Sequence, residues 1–139
     1  MRNTDLPIMK AWYEAIGPEV AGFPVFRVEA DYGVAEYVLL RVESSSNIAN
    51  KDIFRTNPIM TVEIVARFEK QINDTRAALV DDAISQIILP TPRTIGLVQQ
   101  PGFNITDVNI RDRQMIQEDD GTYKYHRLIT NYNHIINHS

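Results

Sequence analysis

The residues that could do chemistry are few, and each group has a simpler reading. His134 and His138 stand four apart, a spacing that would align two metal ligands on one helix face. Here the surrounding residues read as an extended C-terminal segment, and no nearby carboxylate completes a ligand set, so a solvated tail accounts for both. Asp81-Asp82 and Asp119-Asp120 are adjacent carboxylates. General acid–base work needs two carboxyls held across a cleft with separated pKa values. Neighbours on a helix point about 100° apart, so Asp81 and Asp82 read as a solvated helix face. Asp119-Asp120 belongs to a turn ahead of Gly121. Ser44-Ser45-Ser46 lacks the glycines of a nucleophile elbow, and no glycine-rich phosphate loop occurs. The sequence therefore leads us to expect no catalytic residue, no metal ligand and no cofactor site. A small-ligand-binding domain or an unrecognised enzyme is the alternative, and its contributors would be His126, Arg127 and Tyr132 on the last strand.

Composition narrows the partners. The chain has 139 residues, 44% of them apolar and 23% charged, and a formal charge of −4. That length suits one domain with one core. A mildly acidic chain with mixed charges is a poor match for a phosphate-tracking nucleic-acid binder. It contains no cysteine, which excludes disulfides, zinc thiolates and thiol catalysis. No apolar run approaches the roughly 20 residues of a membrane span, and the N-terminal "MRNTDLPIMKAW" lacks a signal-peptide core.

The elements follow from periodicity. "LPIMKAWYEAIG" reads as a short amphipathic helix with Ile8, Met9, Trp12, Ala15 and Ile16 on one face and Gly17-Pro18 as its stop. Trp12 reads as a core anchor. "FPVFRVEA" and "AEYVLLRVES" alternate as strands, and "IMTVEIVARFE" is the clearest strand, apolar on one face and wetter on the other. "NDTRAALVDDAISQIILPTP" is the clearest helix. Its apolar stripe is Leu79, Val80, Ala83, Ile84, Ile87 and Ile88, and Pro90 and Pro92 end it. "GFNITDVNIRDRQMIQ" and "TYKYHRLITNYNHII", joined through Asp120-Gly121, read as a final antiparallel hairpin. The expectation is an α+β domain spanning residues 1–139. It has an antiparallel or mixed sheet of about four to five strands, with two helices packed on one face. A long projecting loop joins two central strands.

That loop, Ser44 to Pro58, draws the functional reading. A two-residue hairpin would connect the same strands, and long structureless loops in compact domains are usually functional. Asn47, Ile48, Lys51, Asp52, Ile53, Phe54 and Arg55 mix charge with apolar side chains that a solvated loop does not need. Two readings stay open: Phe54 folds onto its own core, or it is buried against a neighbouring subunit, where one Phe is worth about 1.5–3 kcal/mol.

The stretch "YVLLRVESSSNIANKDIFRTNPIMTVEIVARFEKQINDTRAALVDDAISQIIL" resembles the central block of the bacteriophage tail terminator, or tail-completion, family. The shared pattern is a strand, a polar Ser/Asn/Lys connection, a strand of the form "MTVEIVARF" and an amphipathic helix. "YKYHRLITNYNHII" is similar to the family's closing strand, and the N-terminal helix also fits. The resemblance implies a structural role in the virion. The expected assembly is a homo-oligomeric ring at the head–tail junction, with a hexamer favoured and a dodecamer possible. It would be built in the host cytoplasm, cap the tail tube, join it to the neck or portal-adaptor proteins and leave a channel through which DNA passes. A ring built head to tail needs two different complementary patches on each subunit, and the segment Asn47 to Arg55 is the candidate for one of them.

Overall fold

The computed structural model describes residues 5–27, 29–30, 33–49, 54–68, 75–119 and 121–138. Along the chain, α1 (Asp5–Ile16) is followed by β1 (Glu19–Val20), β2 (Phe23–Arg27), β3 (Tyr37–Ala49) and β4 (Phe54–Phe68). Then come α2 (Thr75–Ile88), β5 (Phe103–Asp119) and β6 (Lys124–His138). The strands form one open six-stranded sheet in the order β1-β2-β3-β4-β6-β5. Every neighbouring pair is antiparallel except β2 and β3. The α+β class with two helices on a mixed sheet stands, with six strands where four to five were expected.

Local chemistry explains the punctuation. Gly17 ends α1 with φ 85°, and its N–H returns to the Tyr13 carbonyl at 2.8 Å. That left-handed cap is open to glycine without a Cβ penalty. Ala21 and Gly22 both have positive φ, 50° and 85°, which makes the β1–β2 connection a two-residue turn with Val20 opposite Phe23. β1, the first strand of this hairpin, is the strand not expected from the sequence; β2 lies within the expected strand "FPVFRVEA". Ala-Gly is a weaker signal for such a turn than Asn-Gly, so it is not evident in the sequence. At Gly96 the chain folds back over the end of α2, donating its N–H to the Ile88 carbonyl at 2.8 Å. A Cβ there would lie 1.8 Å from the Ile87 carbonyl oxygen.

The core lies between the helices and one face of the sheet. Ile8, Trp12 and Ile16 from α1 and Ala77, Val80, Ile84 and Ile88 from α2 cluster with Val38, Leu40, Met60, Val62 and Ile64. The helix stripe differs from the expected one by two positions. Leu79 is 61% exposed, whereas Asp81, expected on the wet side, is 6% exposed. Asp81 is tolerated inside because Arg113 Nε lies 2.9 Å from its Oδ2 and the Thr130 hydroxyl donates to its Oδ1 at 3.0 Å.

The connection between β3 and β4 also departs from expectation. The described residues of this stretch, 44–49 and 54–58, are strand rather than loop: after a bulge between Glu43 and Ser46, pairing continues through Asn47↔Thr56 to Ala49↔Phe54. β4 is flanked there by β6, with Arg55 opposite Asn137 and Thr56 opposite Ile136, and Phe103 of β5 faces His138. The described part of the polar segment thus belongs to the end of the sheet where β3, β4, β6 and β5 run side by side. Its Ser, Asn and Thr residues hide it from periodicity, because a strand without apolar alternation looks like a loop.

Candidate functional site: two faces and two edges of one sheet

The expected interface residues fall into two groups. Asn47, Ile48, Phe54 and Arg55 belong to β3 and β4 by their backbones, paired as Ile48↔Arg55 and Ala49↔Phe54. Their side chains, and residues Lys51, Asp52 and Ile53 altogether, lie outside the described residues. The question posed at Phe54 therefore carries over as a test rather than an answer.

Side chains alternate across the strands, so each row of the sheet has a helix side and an open side. On the helix side β6 carries His126, Leu128, Thr130, Tyr132, His134 and Ile136, which pair with Ala66, Ile64, Val62, Met60, Pro58 and Thr56 or stand next to those pairs. On the open side it carries Arg127, Ile129, Asn131 and Asn133, opposite Val65, Glu63, Thr61 and Ile59. Both sides of β4 are buried: Thr61 is 2% exposed, Glu63 5% and Val65 4%. The expected wet face of this strand is closed by the long polar side chains of its neighbours rather than by a helix.

Two polar rows achieve that closure. In the first, Glu63 sits between two guanidinium groups. Arg41 Nη2 donates to its Oε2 at 3.2 Å, and Arg127 Nη1 donates to its Oε1. Arg127 continues through Nε to Glu118 Oε1 at 3.0 Å. Charge alternates across β3, β4, β6 and β5, so the buried carboxylate is paired on both oxygens. In the second row the Thr61 hydroxyl donates to Asn131 Oδ1 at 2.7 Å and lies 3.3 Å from Glu43 Oε1. Asn131 Nδ2 then donates to Asp112 Oδ1 at 2.7 Å. Apart from Arg127, none of these residues stands out in the sequence. The only available signal was a strand with Thr and Glu at alternate positions beside a strand with Arg and Asn.

The helix side holds a different device. Trp12 Nε1 donates to His134 Nε2 at 2.8 Å, and His134 Nδ1 lies 2.9 Å from the Pro58 carbonyl oxygen. A carbonyl can only accept, so Nδ1 carries the proton and Nε2 accepts from the indole. The imidazole is neutral, and its pKa is lowered to about 4, chiefly by burial, against smaller upward effects of the Pro58 carbonyl and Asp107. His134 is 1% exposed, so it is an internal strut rather than part of a solvated tail. Next to it, Tyr132 meets Trp12 edge-on at 4.8 Å, and its hydroxyl lies 3.0 Å from Ser85 Oγ. Burial raises the Tyr132 pKa.

The ligand-pocket alternative loses its geometry here. Alternation along β6 puts His126 and Tyr132 on the helix side and Arg127 on the open side. A hollow of about 200 Å³ lined by Val34, Ala35, Tyr37, Val65, Glu118, Tyr125 and Arg127 lies below the size of ordinary small-molecule sites. Among the described residues, no cluster of three His, Cys, Asp or Glu is placed to hold a metal. No described helix is long and apolar enough to cross a membrane.

Comparison with known proteins gives one kind of likeness. No family model matches the sequence, and no curated protein does. Among solved structures, the fold is similar to a chain of the "Virion of native gene transfer agent (GTA) particle". The TM-score is 0.72 over 98% of this chain and 99% of that one, at 12% identity. The two chains share a fold from end to end.

Proposed function

We propose that this chain is a structural protein of a phage-like virion, one that forms a ring at the head–tail junction as a tail terminator or neighbouring neck ring. The observation that carries the reading is the end-to-end likeness to a chain of a gene transfer agent virion. A virion location and a role without catalysis follow from that reading. The resemblance of Tyr37 to Leu89 to the tail terminator pattern adds to it independently. A hexamer of identical subunits is the assembly favoured, meeting tail-tube and neck proteins on its two ends and passing DNA through its centre. The segment from Asn47 to Arg55 supplies one of the two subunit contacts such a ring requires.

Two properties of the molecule suit this role. On the open sheet face Thr61, Glu63, Arg127 and Asn131 find partners on neighbouring strands, so this part is held together without a helix to cover it. The residues that would have to converge in a ligand site instead lie on opposite faces of β6. The test is mass and location. Light scattering and electron microscopy of the purified protein, with or without tail-tube protein, should give a closed ring, and purified particles should contain it. A strict monomer at every concentration, together with absence from particles, overturns the reading. Replacing Asn47 to Arg55 by a short Gly-containing turn should leave a folded monomer and abolish rings. Unaltered assembly would remove this segment from the interface.

A further inference from the structure

The hollow of about 200 Å³, too small for an ordinary metabolite, lies on the open side of the sheet. It sits at the end of the strands away from the β3–β4 connection. Tyr37, Val65 and Arg127 share one row of its lining, and Tyr125 and Glu118 share the next row on that face. Val65 is 4% exposed and forms the floor. Tyr37 is braced edge-on by Phe26, with ring centroids 6.2 Å apart. Val34 and Ala35, ahead of β3, add further apolar lining. At the rim Arg127 is held by Glu63 and Glu118. An apolar floor under a paired, charged rim is a setting in which one inserted side chain can anchor an interface.

The sequence supplies an occupant of that kind. Ile53 and Phe54 stand together, flanked by Lys51, Asp52 and Arg55. Phe54 opens β4 opposite Ala49, the last residue of β3, so this segment belongs to the other end of the sheet. Ten residues of β4 lead from Arg55 to Val65, about 33 Å at the rise of a strand. The segment therefore cannot fill the hollow of its own subunit, but the same segment of a second copy can. A ring whose axis runs across the strands sets one end of each sheet against the opposite end of the next. Charge favours the contact. Lys51 and Arg55 outnumber Asp52 in the segment, whereas Glu118 and Asp119 outnumber Lys124 in the smaller recess beside the hollow.

We infer that the hollow receives Ile53 and Phe54 of a second copy, Phe54 against Tyr37, Val65 and Tyr125, with the flanking bases toward Glu118 and Asp119. This rests on the ring reading and names the other of the two complementary patches that a head-to-tail ring requires.

The chain has no cysteine, so engineered pairs report cleanly. Ala35→Cys combined with Ile53→Cys or Phe54→Cys should give a disulfide-linked ladder of multimers on oxidation. A control pair of Arg93→Cys with Ile53→Cys should stay monomeric. Phe54→Ala should keep the monomer's melting temperature and weaken the ring by about tenfold or more. Ala35→Phe fills the hollow from its own chain and should do the same. A monomer that melts lower with Phe54→Ala places this side chain in its own core and overturns the contact. Normal rings from Ala35→Phe, with no cross-link at either pair, also overturn it and leave the ring reading intact. If that variant forms rings but no longer binds tail-tube protein, the hollow takes another virion protein and the self-contact is again overturned. A wild-type protein that never assembles and is absent from particles overturns both readings.

Discussion

The two faces of the central sheet are stabilised by different physics. On the helix side, Val38, Leu40, Met60, Val62 and Ile64 are 0% exposed beneath Trp12, Val80 and Ile84, and dryness itself is the main stabilising term. On the open side, β4 is equally inaccessible, yet its cover is a lattice of arginine, asparagine and carboxylate side chains drawn from both neighbouring strands. Among the buried polar groups of the first face, His134 is tolerated because each ring nitrogen has a partner. The second mixes Leu39 and Val65 with polar side chains, and Thr61, Glu63, Asn131 and Arg127 there pair with one another or with neighbouring carboxylates. A sheet face that needs no helix remains available to another molecule, which is what an assembly subunit requires of at least part of its surface.

The comparison breaks most sharply at Trp12. Trp12→Ala should cost about 3–5 kcal/mol, from a large cavity together with the loss of a donor to His134. Chemical denaturation of the monomer measures this, and Trp12→Phe separates the two causes, because it refills most of the volume but not the hydrogen bond.

Acidification tests the same face through His134. Its folded pKa of about 4 lies below the ordinary 6.5, so between those values the unfolded chain binds a proton that the folded chain refuses. Stability from this group is complete above about pH 6.5 and falls as pH drops toward 4, by about 3 kcal/mol over the window. Comparing denaturation curves of wild type and His134→Gln at pH 7 and pH 4.5 isolates the effect from the carboxylates. The variant should be less stable at pH 7 and should show the shallower decline. Parallel curves would mean that the imidazole is already solvated.

These two devices differ in how readable they are in the sequence. Alternation in "MTVEIVARF" and "YVLLRV" was enough to expose the strand bases, the class of fold and most of the α2 stripe. Such patterns are local. The partners of the buried polar groups are not: Trp12 meets His134 across 122 positions, Thr61 meets Asn131 across 70, and Arg127 meets Glu63 across 64. Nothing short-range distinguishes Asp81, which is buried under Arg113, from Asp82, which is exposed. The Ser44–Pro58 strands failed to register for a related reason. Their pairing is secured by ladder bonds to β6 and by continuity with the strand bases, neither of which requires apolar side chains.

On the open face, Glu63→Ala should cost about 2 kcal/mol. The buried carboxylate pairs with two arginines, but the side chain of Arg41 is 44% exposed and that of Arg127 is 28% exposed, so water partly replaces the lost partner. Glu63→Gln should recover part of the loss by keeping one acceptor, and its deficit relative to wild type should shrink in high salt if charge rather than shape matters. Full recovery by Gln at every ionic strength would make this row a packing feature.

The outermost link of the same row gives the smallest monomer effect and the clearest contrast. Glu118 accepts from Arg127 at 3.0 Å, but its side chain is 45% exposed, so the pair belongs with surface salt bridges of about 0–1 kcal/mol. Glu118→Ala should hardly move the monomer's melting curve. In an assembled ring the result should change. Glu118 lies on β5, the outermost strand, where a subunit contact would exclude water from the Arg127–Glu118 pair and strengthen it. Ring dissociation, followed by light scattering across a salt series, should then be more sensitive to Glu118→Ala than monomer unfolding is. Equal, small effects in both measurements would place this end of the edge away from any subunit contact and leave the polar rows as devices of the single chain alone.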